Sequence, residues 1–262
     1  MRYAIHAVKM LMKTALQYRS SLMMQIIAQV VMTGGELLAV VVLLDRFRMV
    51  GHWSALEIMF FFGVMQSSFA LTELFGRGIA AFSNFVQRGD FDALLLRPKP
   101  LLLQVLCAQL DPRRQGSFLV GLLAAMVAAA RLGIAWDAAR VLLLAEVVLG
   151  SVLLILGLFM IEATAAFFSV KSIEMANVLT YGGRSTCQYP VDIFPTPLRL
   201  LFTYLAPFAL CMHWPVSWII GSPMVQCSAV WYFVMPLTGA VFFLLMTRVW
   251  YAGVRRYRST GT

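Results

Sequence analysis

Charge is what this sequence has least of. Of its 262 residues 13% are charged, where a soluble domain of that size carries about 25%. Acids are the scarcer sign, 12 against 21 Lys and Arg, and none precedes Glu36. The other shortages exclude chemistry. The four cysteines, Cys107, Cys187, Cys211 and Cys227, contain no C-x-x-C pair, which argues against a zinc site. The last three fall in one region, where a disulfide and free buried thiols both stay open. The three histidines are His6, His52 and His213; only His213 has a nearby cysteine, Cys211, and an i,i+2 pair is no triad. No G-x-x-x-x-G-K-[ST] phosphate loop occurs. The net charge of +9 comes without a basic patch interleaved with aromatics, so nucleic acid is not the expected partner.

What is present is apolar length. Hydrophobic residues make up 61% of the chain and come in runs of the roughly 20 residues that cross a bilayer as a helix. The fold class is therefore an all-α polytopic membrane protein. Spans are expected at about 22–44, 55–82, 118–130 (short unless it begins earlier), 141–170, 173–194 and 224–247. Six of the ten prolines lie between Pro190 and Pro223. Proline breaks helices, and broken backbone at membrane depth needs protein or water around it. Residues 190–223 are thus read as short interfacial or re-entrant helices. Trp214, Trp218 and Trp231 suit a membrane–water boundary.

Basic residues set the orientation. They gather in the first 20 residues (Arg2, Lys9, Lys13, Arg19), in the loop after the second span (Arg88, Arg97, Lys99, Arg113, Arg114) and in the tail (Arg248, Arg255, Arg256, Arg258). The other loops carry fewer: Arg46 and Arg48, Arg131 and Arg140, Arg184 and Arg199. Both termini are expected in the cytoplasm, which requires an even number of spans, six. Residues 1–20 put Arg2, His6, Lys9, Lys13 and Gln17 on one helical face and Ile5, Val8, Met12 and Ala15 elsewhere. That pattern suits a helix lying on the membrane surface. A cleaved signal peptide is the competing reading; the apolar run after Arg19 is too long and lacks a small-residue cleavage site.

The most charged run, FVQRGDFDALLLRPKP at residues 85–100, is read as a short cytoplasmic helix. Gly89 permits the sharp turn into it, Asp90 or Asp92 caps it, and Pro98 and Pro100 stop it. Its partly apolar surface suits docking of another protein. The alternative is a loop lying on the bilayer.

This run resembles the G-x-(F/L)-D-x-L-L-x-R-P signature of bacterial ABC exporter permeases of the type-2 family. QYPVDIFP, residues 188–195, resembles that family's Y-P-x-x-I-(F/Y)-P motif, and LAPFALCMHWPVSWIIG its next conserved run. Order and spacing match over nearly the whole chain, and the closest likeness is to stand-alone permeases without a fused ATPase, often acting as unlike pairs.

The resemblance implies one permease domain over residues 1–262. It has a connecting helix at 1–20, a coupling loop at 83–114 and an extracellular cap at 190–223. Two permease subunits, a heterodimer favoured over a homodimer, would form the pathway above two copies of a cytoplasmic ABC ATPase. The coupling residues would be Arg88, Gly89, Asp90, Phe91, Asp92, Leu95, Leu96, Arg97 and Pro98. The cap motif would be Tyr189, Pro190, Ile193, Phe194 and Pro195. This chain would bind no cofactor and would not be an enzyme; ATP and magnesium belong to the partner. The bacterial cytoplasmic membrane is the implied location.

Polar residues inside the spans are the remaining candidates. Glu36, Glu73, Glu146 and Glu162 are costly in a membrane and functional by default. The bland alternative for Glu73 is an i,i+4 pair with Arg77; Glu162 is placed near the cytoplasmic mouth. By the resemblance, the second and fifth spans line the pathway, offering Gln66, Ser67, Thr72, Glu73, Asn177, Thr180 and Tyr181. Small polar residues equally well glue helices together. Few charges along the pathway lean towards amphipathic or hydrophobic cargo: a drug, lipid or glycoconjugate. An ATP-independent channel or scaffold and a membrane-embedded lipid-modifying enzyme are the alternatives. Gly182, Gly183 and Arg184 sit oddly in a fifth span.

Overall fold

The computed structural model describes residues 9–11, 13–14, 17–47, 49–168 and 170–257. Arg2, Ile5, His6, Val8, Met12, Ala15, Arg48 and Arg258 lie outside them, as does much of the surface helix expected over residues 1–20. Helix makes up 81% of the structure, an all-α membrane protein. Among the described residues five helical stretches are long and apolar enough to cross a bilayer: Arg19–Val42, Ala55–Gln87, Pro112–Leu132, Ala138–Ala165 and Ala229–Arg256. A bent pair, Thr196–Leu205 with Ala209–Ile220, brings the number to six if counted as one span.

In chain order, α1 (Arg19–Phe47) passes through a hairpin of Met49–Val50 against Trp53–Ser54 into α2 (Ala55–Ala80). Ser54 and Glu57 form a reciprocal cap at the start of α2: the Ser54 N–H donates to Glu57 Oε2 at 2.8 Å and the Glu57 N–H to Ser54 Oγ at 3.4 Å. The charged loop follows as three short helices, α3 (Phe82–Gln87), α4 (Asp90–Leu95) and α5 (Leu101–Leu106). Then come α6 (Gln115–Leu132) and α7 (Ala138–Ala165), the latter capped by Asp137, whose Oδ1 accepts from the Arg140 N–H at 2.9 Å. With the 3-10 turn Pro112–Arg114 in front of it, the third span begins earlier than residue 118 and reaches full length.

The fifth helix departs most from expectation. It runs through α8 (Val170–Asn177), a π turn (Val178–Gly182) and α9 (Gly183–Cys187), and stops seven residues short of the expected Phe194. Pro190 offers no N–H and biases the residue before it away from helix. Lys171, Glu174, Asn177 and Arg184 also make it more polar than the five apolar helices. The proline-rich segment then forms α10 (Thr196–Leu200) with a π turn to Leu205, and a π turn (Ala209–His213) with α11 (Trp214–Ile220), the two halves bent by 81° at Pro207. Residues 222–228 are not helical, so the last span starts at Ala229 rather than near Met224 and reaches Arg256 as α12 (Ala229–Val234) and α13 (Leu237–Arg256).

The centre of the bundle is α2, buried on nearly every side between α6 and α7. Small residues make the close crossings: a Cβ on Gly63 would stand 2.5 Å from the Ala125 nitrogen, and one on Gly239 of α13 only 2.0 Å from the Gly150 carbonyl of α7. By contrast α1 touches the bundle mainly through α6, where the Thr33 and Ser117 hydroxyls meet at 3.0 Å. Its other side leaves Met24, Val31 and Met32 about two-thirds or more exposed, an apolar surface suited to a bilayer rather than water. Among the described residues all four cysteines are free thiols, Cys187 and Cys211 buried.

Candidate functional site

The charged loop is built as an anchored lever. Gly89, at φ +74°, turns the chain into α4 and is itself the N-cap residue. Neither Asp90 nor Asp92 caps the helix, as the sequence suggested; both stand inside its first turn, where they complement the positive end of the helix dipole. One side of α4 is sunk into the protein. Phe91 is fully buried, its ring centroid 5.0 Å from Phe82, 5.8 Å from Phe167 and 5.1 Å from Tyr257. Phe82 in turn meets Trp250 at 5.5 Å. A single side chain thus ties α4 to the start of α3 and to the residues just past the ends of α7 and α13.

The other side of α4 is bare. Leu95 is 44% and Leu96 86% exposed, and Arg97 and Pro98 continue the exposed tip. Arg88 is exposed beside it. The return path is held by α5: a Cβ on Gly78 would fall 1.9 Å from the Val105 carbonyl, so the α5 backbone rests on α2. Gln104 donates to the Lys99 carbonyl at 2.9 Å. Burial pushes up the Cys107 thiol in this loop, and burial together with the nearby Asp92 carboxylate pushes up the Tyr257 phenol.

Three polar constellations lie inside the bundle. The first is Glu73, 1% exposed, paired with Arg114 at 2.7 Å rather than with Arg77, while Arg113 donates to Asp111 at 2.7 and 2.9 Å. The second joins three helices through Arg184. Its guanidinium donates to Glu36 at 2.9 Å and to the Gln66 side-chain oxygen at 3.1 and 3.3 Å, and lies 5.1 Å from the Phe69 ring. Gln188 also donates to Gln66 at 3.4 Å. The oddly placed arginine of the fifth helix therefore has a carboxylate partner on α1. The third is a polar cleft of about 190 Å³ at the charged-loop end, lined among others by Arg77, Asn84, Glu162, Asn177 and Tyr181.

The seven expected pathway residues are thus not one surface. Gln66 belongs with Arg184. Ser67 sits at the α2–α6 crossing, where a Cβ on Gly121 would stand 2.8 Å from its hydroxyl oxygen. Thr72 donates to the Ser68 carbonyl at 2.8 Å and reaches the Val152 carbonyl of α7 at 3.5 Å, and Thr180 donates to the Ala176 carbonyl at 3.3 Å. Asn177 and Tyr181 line the polar cleft.

At the proline-rich end, Asp192 of the YPVDIFP run accepts from the buried Trp53 indole at 3.0 and 3.1 Å and lies 3.2 Å from His52 Nε2. Glu57 accepts from the Ser222 hydroxyl at 3.0 Å. His213, fully buried, meets the Cys187 carbonyl at 2.9 Å. Tyr189, Ile193 and Phe194 are half-buried, Pro190 is buried and Pro195 exposed. The segment is therefore clasped to the hairpin before α2, a contact that sequence reasoning missed because its two halves are 139 residues apart.

Residues 30–261 of the chain match the family model described as ABC-2 family transporter protein. Neither the search of curated proteins nor that of solved structures gives a match.

Proposed function

From membership of the ABC-2 transporter family, which the match over residues 30–261 shows, we propose that this chain is the membrane-spanning permease subunit of an ATP-driven exporter. The observation that carries the reading is the two-sided charged-loop helix. Its Phe91 is locked against Phe82, Phe167 and Tyr257, while Leu95 is 44% and Leu96 86% exposed. Exposed leucines on a rigid mount suit a groove on a partner protein. The mount suits transmission, because a push on α4 reaches three helix ends at once.

In this reading the charged-loop end faces the cytoplasm, with both termini, and the proline-rich end faces outward. The membrane is the bacterial cytoplasmic membrane. Two cytoplasmic ATPase subunits, carrying ATP and magnesium, dock on the Leu95–Leu96 tips of this chain and of a second permease, an unlike chain favoured over a copy. ATP-driven closure of the ATPases moves α4, and the bundle switches from inward-open to outward-open. Cargo shifts that equilibrium only through its differential affinity for the two states. The buried ion pair Glu73–Arg114 and the half-open pair Glu36–Arg184 brace the helices that must move together. The cargo is amphipathic or hydrophobic.

The test is ATP hydrolysis by material purified on this chain from its source membrane in mild detergent. Wild type is expected to bring down a nucleotide-hydrolysing partner. Leu95→Asp with Leu96→Asp is expected to keep the permease folded and lose that activity. Retained hydrolysis in the double variant removes the docking role from this helix.

A further inference from the structure

The polar cleft at the charged-loop end holds two opposite charges that do not meet. Arg77, from the last turn of α2, lines it, and among the described residues no hydrogen bond or ion pair reaches its guanidinium. The acid one turn earlier, Glu73, is already paired with Arg114 at 2.7 Å. Across the cleft stands Glu162 of α7, 4% exposed. With the Asn177 amide turned so that its nitrogen faces the carboxylate, it donates to the two Glu162 oxygens at 3.2 and 3.1 Å. Ser83, Asn84 and Tyr181 complete a polar wall. A guanidinium and a buried carboxyl group that form no ion pair with each other in one small intramembrane cavity are expensive. A ligand bearing both complementary charges relieves both costs.

Size narrows the ligand. A volume of about 190 Å³ equals the liquid share of roughly six waters and falls below the ~300 Å³ at which clefts begin to hold a whole drug-sized molecule. It admits a headgroup and leaves the remainder of an amphiphile outside. Ile173 also lines the cleft, and Val178, the residue after Asn177, is 70% exposed, so apolar surface adjoins the polar cavity.

We propose that this cleft, between Arg77 and Glu162, binds the headgroup of a phospholipid that carries a phosphate and a primary ammonium. Arg77 takes the phosphate and Glu162 the ammonium, whose N–H groups a quaternary amine lacks. The identification of this lipid with the exported cargo rests on the permease reading above; the binding itself does not.

The test is lipid binding to the full chain purified in detergent, read by native mass spectrometry without ATPase or ATP. The probes are phosphatidylethanolamine, phosphatidylcholine, phosphatidylglycerol and soluble phosphoethanolamine. Phosphatidylethanolamine is expected to bind about tenfold tighter than the other two lipids, the scale of one charge-assisted hydrogen bond. Arg77→Gln is expected to weaken all three lipids by a similar factor, Arg77→Lys to restore part of that binding, and Glu162→Gln to bring phosphatidylethanolamine level with phosphatidylglycerol. Equal binding of all three lipids, a preference for phosphatidylglycerol, or Arg77→Gln binding like a wild type of equal melting temperature overturns the proposal. Equally tight soluble phosphoethanolamine overturns the lipid as ligand in favour of a free phosphoamine. A failed ATPase association leaves every one of these readings intact, so the two accounts fail separately.

Discussion

Arg114 reaches Glu73 at 2.7 Å across the bundle, joining the end of the charged loop to the most buried helix. Glu73 is 1% exposed, whereas Glu36, which meets Arg184 at 2.9 Å, is 46% exposed. Removing one member of a buried pair strands the other charge and costs about 3–5 kcal/mol; with Glu36 gone, Arg184 keeps the Gln66 side-chain oxygen at 3.1 and 3.3 Å, which lessens the loss. Glu73→Ala is therefore expected to lower thermal stability in detergent far more than Glu36→Ala. Equal melting temperatures for the two variants contradict this ranking.

Phe91 carries the mount of α4. Phe91→Ala is expected to cost about 3–5 kcal/mol, the range for emptying a buried phenyl site. Leu96→Ala, at an 86% exposed position, is expected to change stability by about 0.5 kcal/mol or less. Unfolding followed by tryptophan fluorescence measures both, since Trp250 lies in the same aromatic cluster.

Trp53→Phe keeps an aromatic ring but removes the donor to Asp192. Loss of a hydrogen bond to a charged group costs about 1.5–3 kcal/mol, and proteolysis within residues 190–223 is expected to quicken as the clasp opens. Unchanged protease resistance shows that the hairpin does not hold this segment.

Cys107 and Cys227 lie towards opposite ends of the bundle and report the orientation. A membrane-impermeant maleimide added to intact cells is expected to label Cys227 and to reach Cys107 only after permeabilisation. Because burial raises the Cys107 thiol above its ordinary value of 9.0, less thiolate is present at neutral pH than in a free thiol. Its alkylation should be slow there and climb as the pH rises past that value. Cys107 labelled first from outside reverses the orientation.

How much of this was legible in the sequence follows from the range of each interaction. The apolar runs announced the first, second and fourth spans, and Gly89 with Pro98 and Pro100 marked the short helix between them; these are local signals. The fifth helix was misjudged at its far end, because Pro190 stops it sooner than apolar length alone suggests. The partners of the intramembrane charges were not legible. Glu73 had Arg77 four residues away and chose Arg114 from the next span. Arg184 stood out as a misplaced charge, but its carboxylate lies 148 residues earlier. The expected pathway residues shared helices rather than a surface, so they separated in the fold into helix crossings, a charge cluster and a cleft.

The central claim is that the Leu95–Leu96 tip touches an ATPase. A photo-crosslinking amino acid placed at Leu96 in the source cells, with the adduct identified by mass spectrometry, tests it most directly. The account predicts one dominant protein adduct, a nucleotide-binding subunit, lost when Leu95→Asp is added. Adducts to lipid alone, with no nucleotide-binding protein among them, mean that the tip lies on the bilayer and is not a coupling helix.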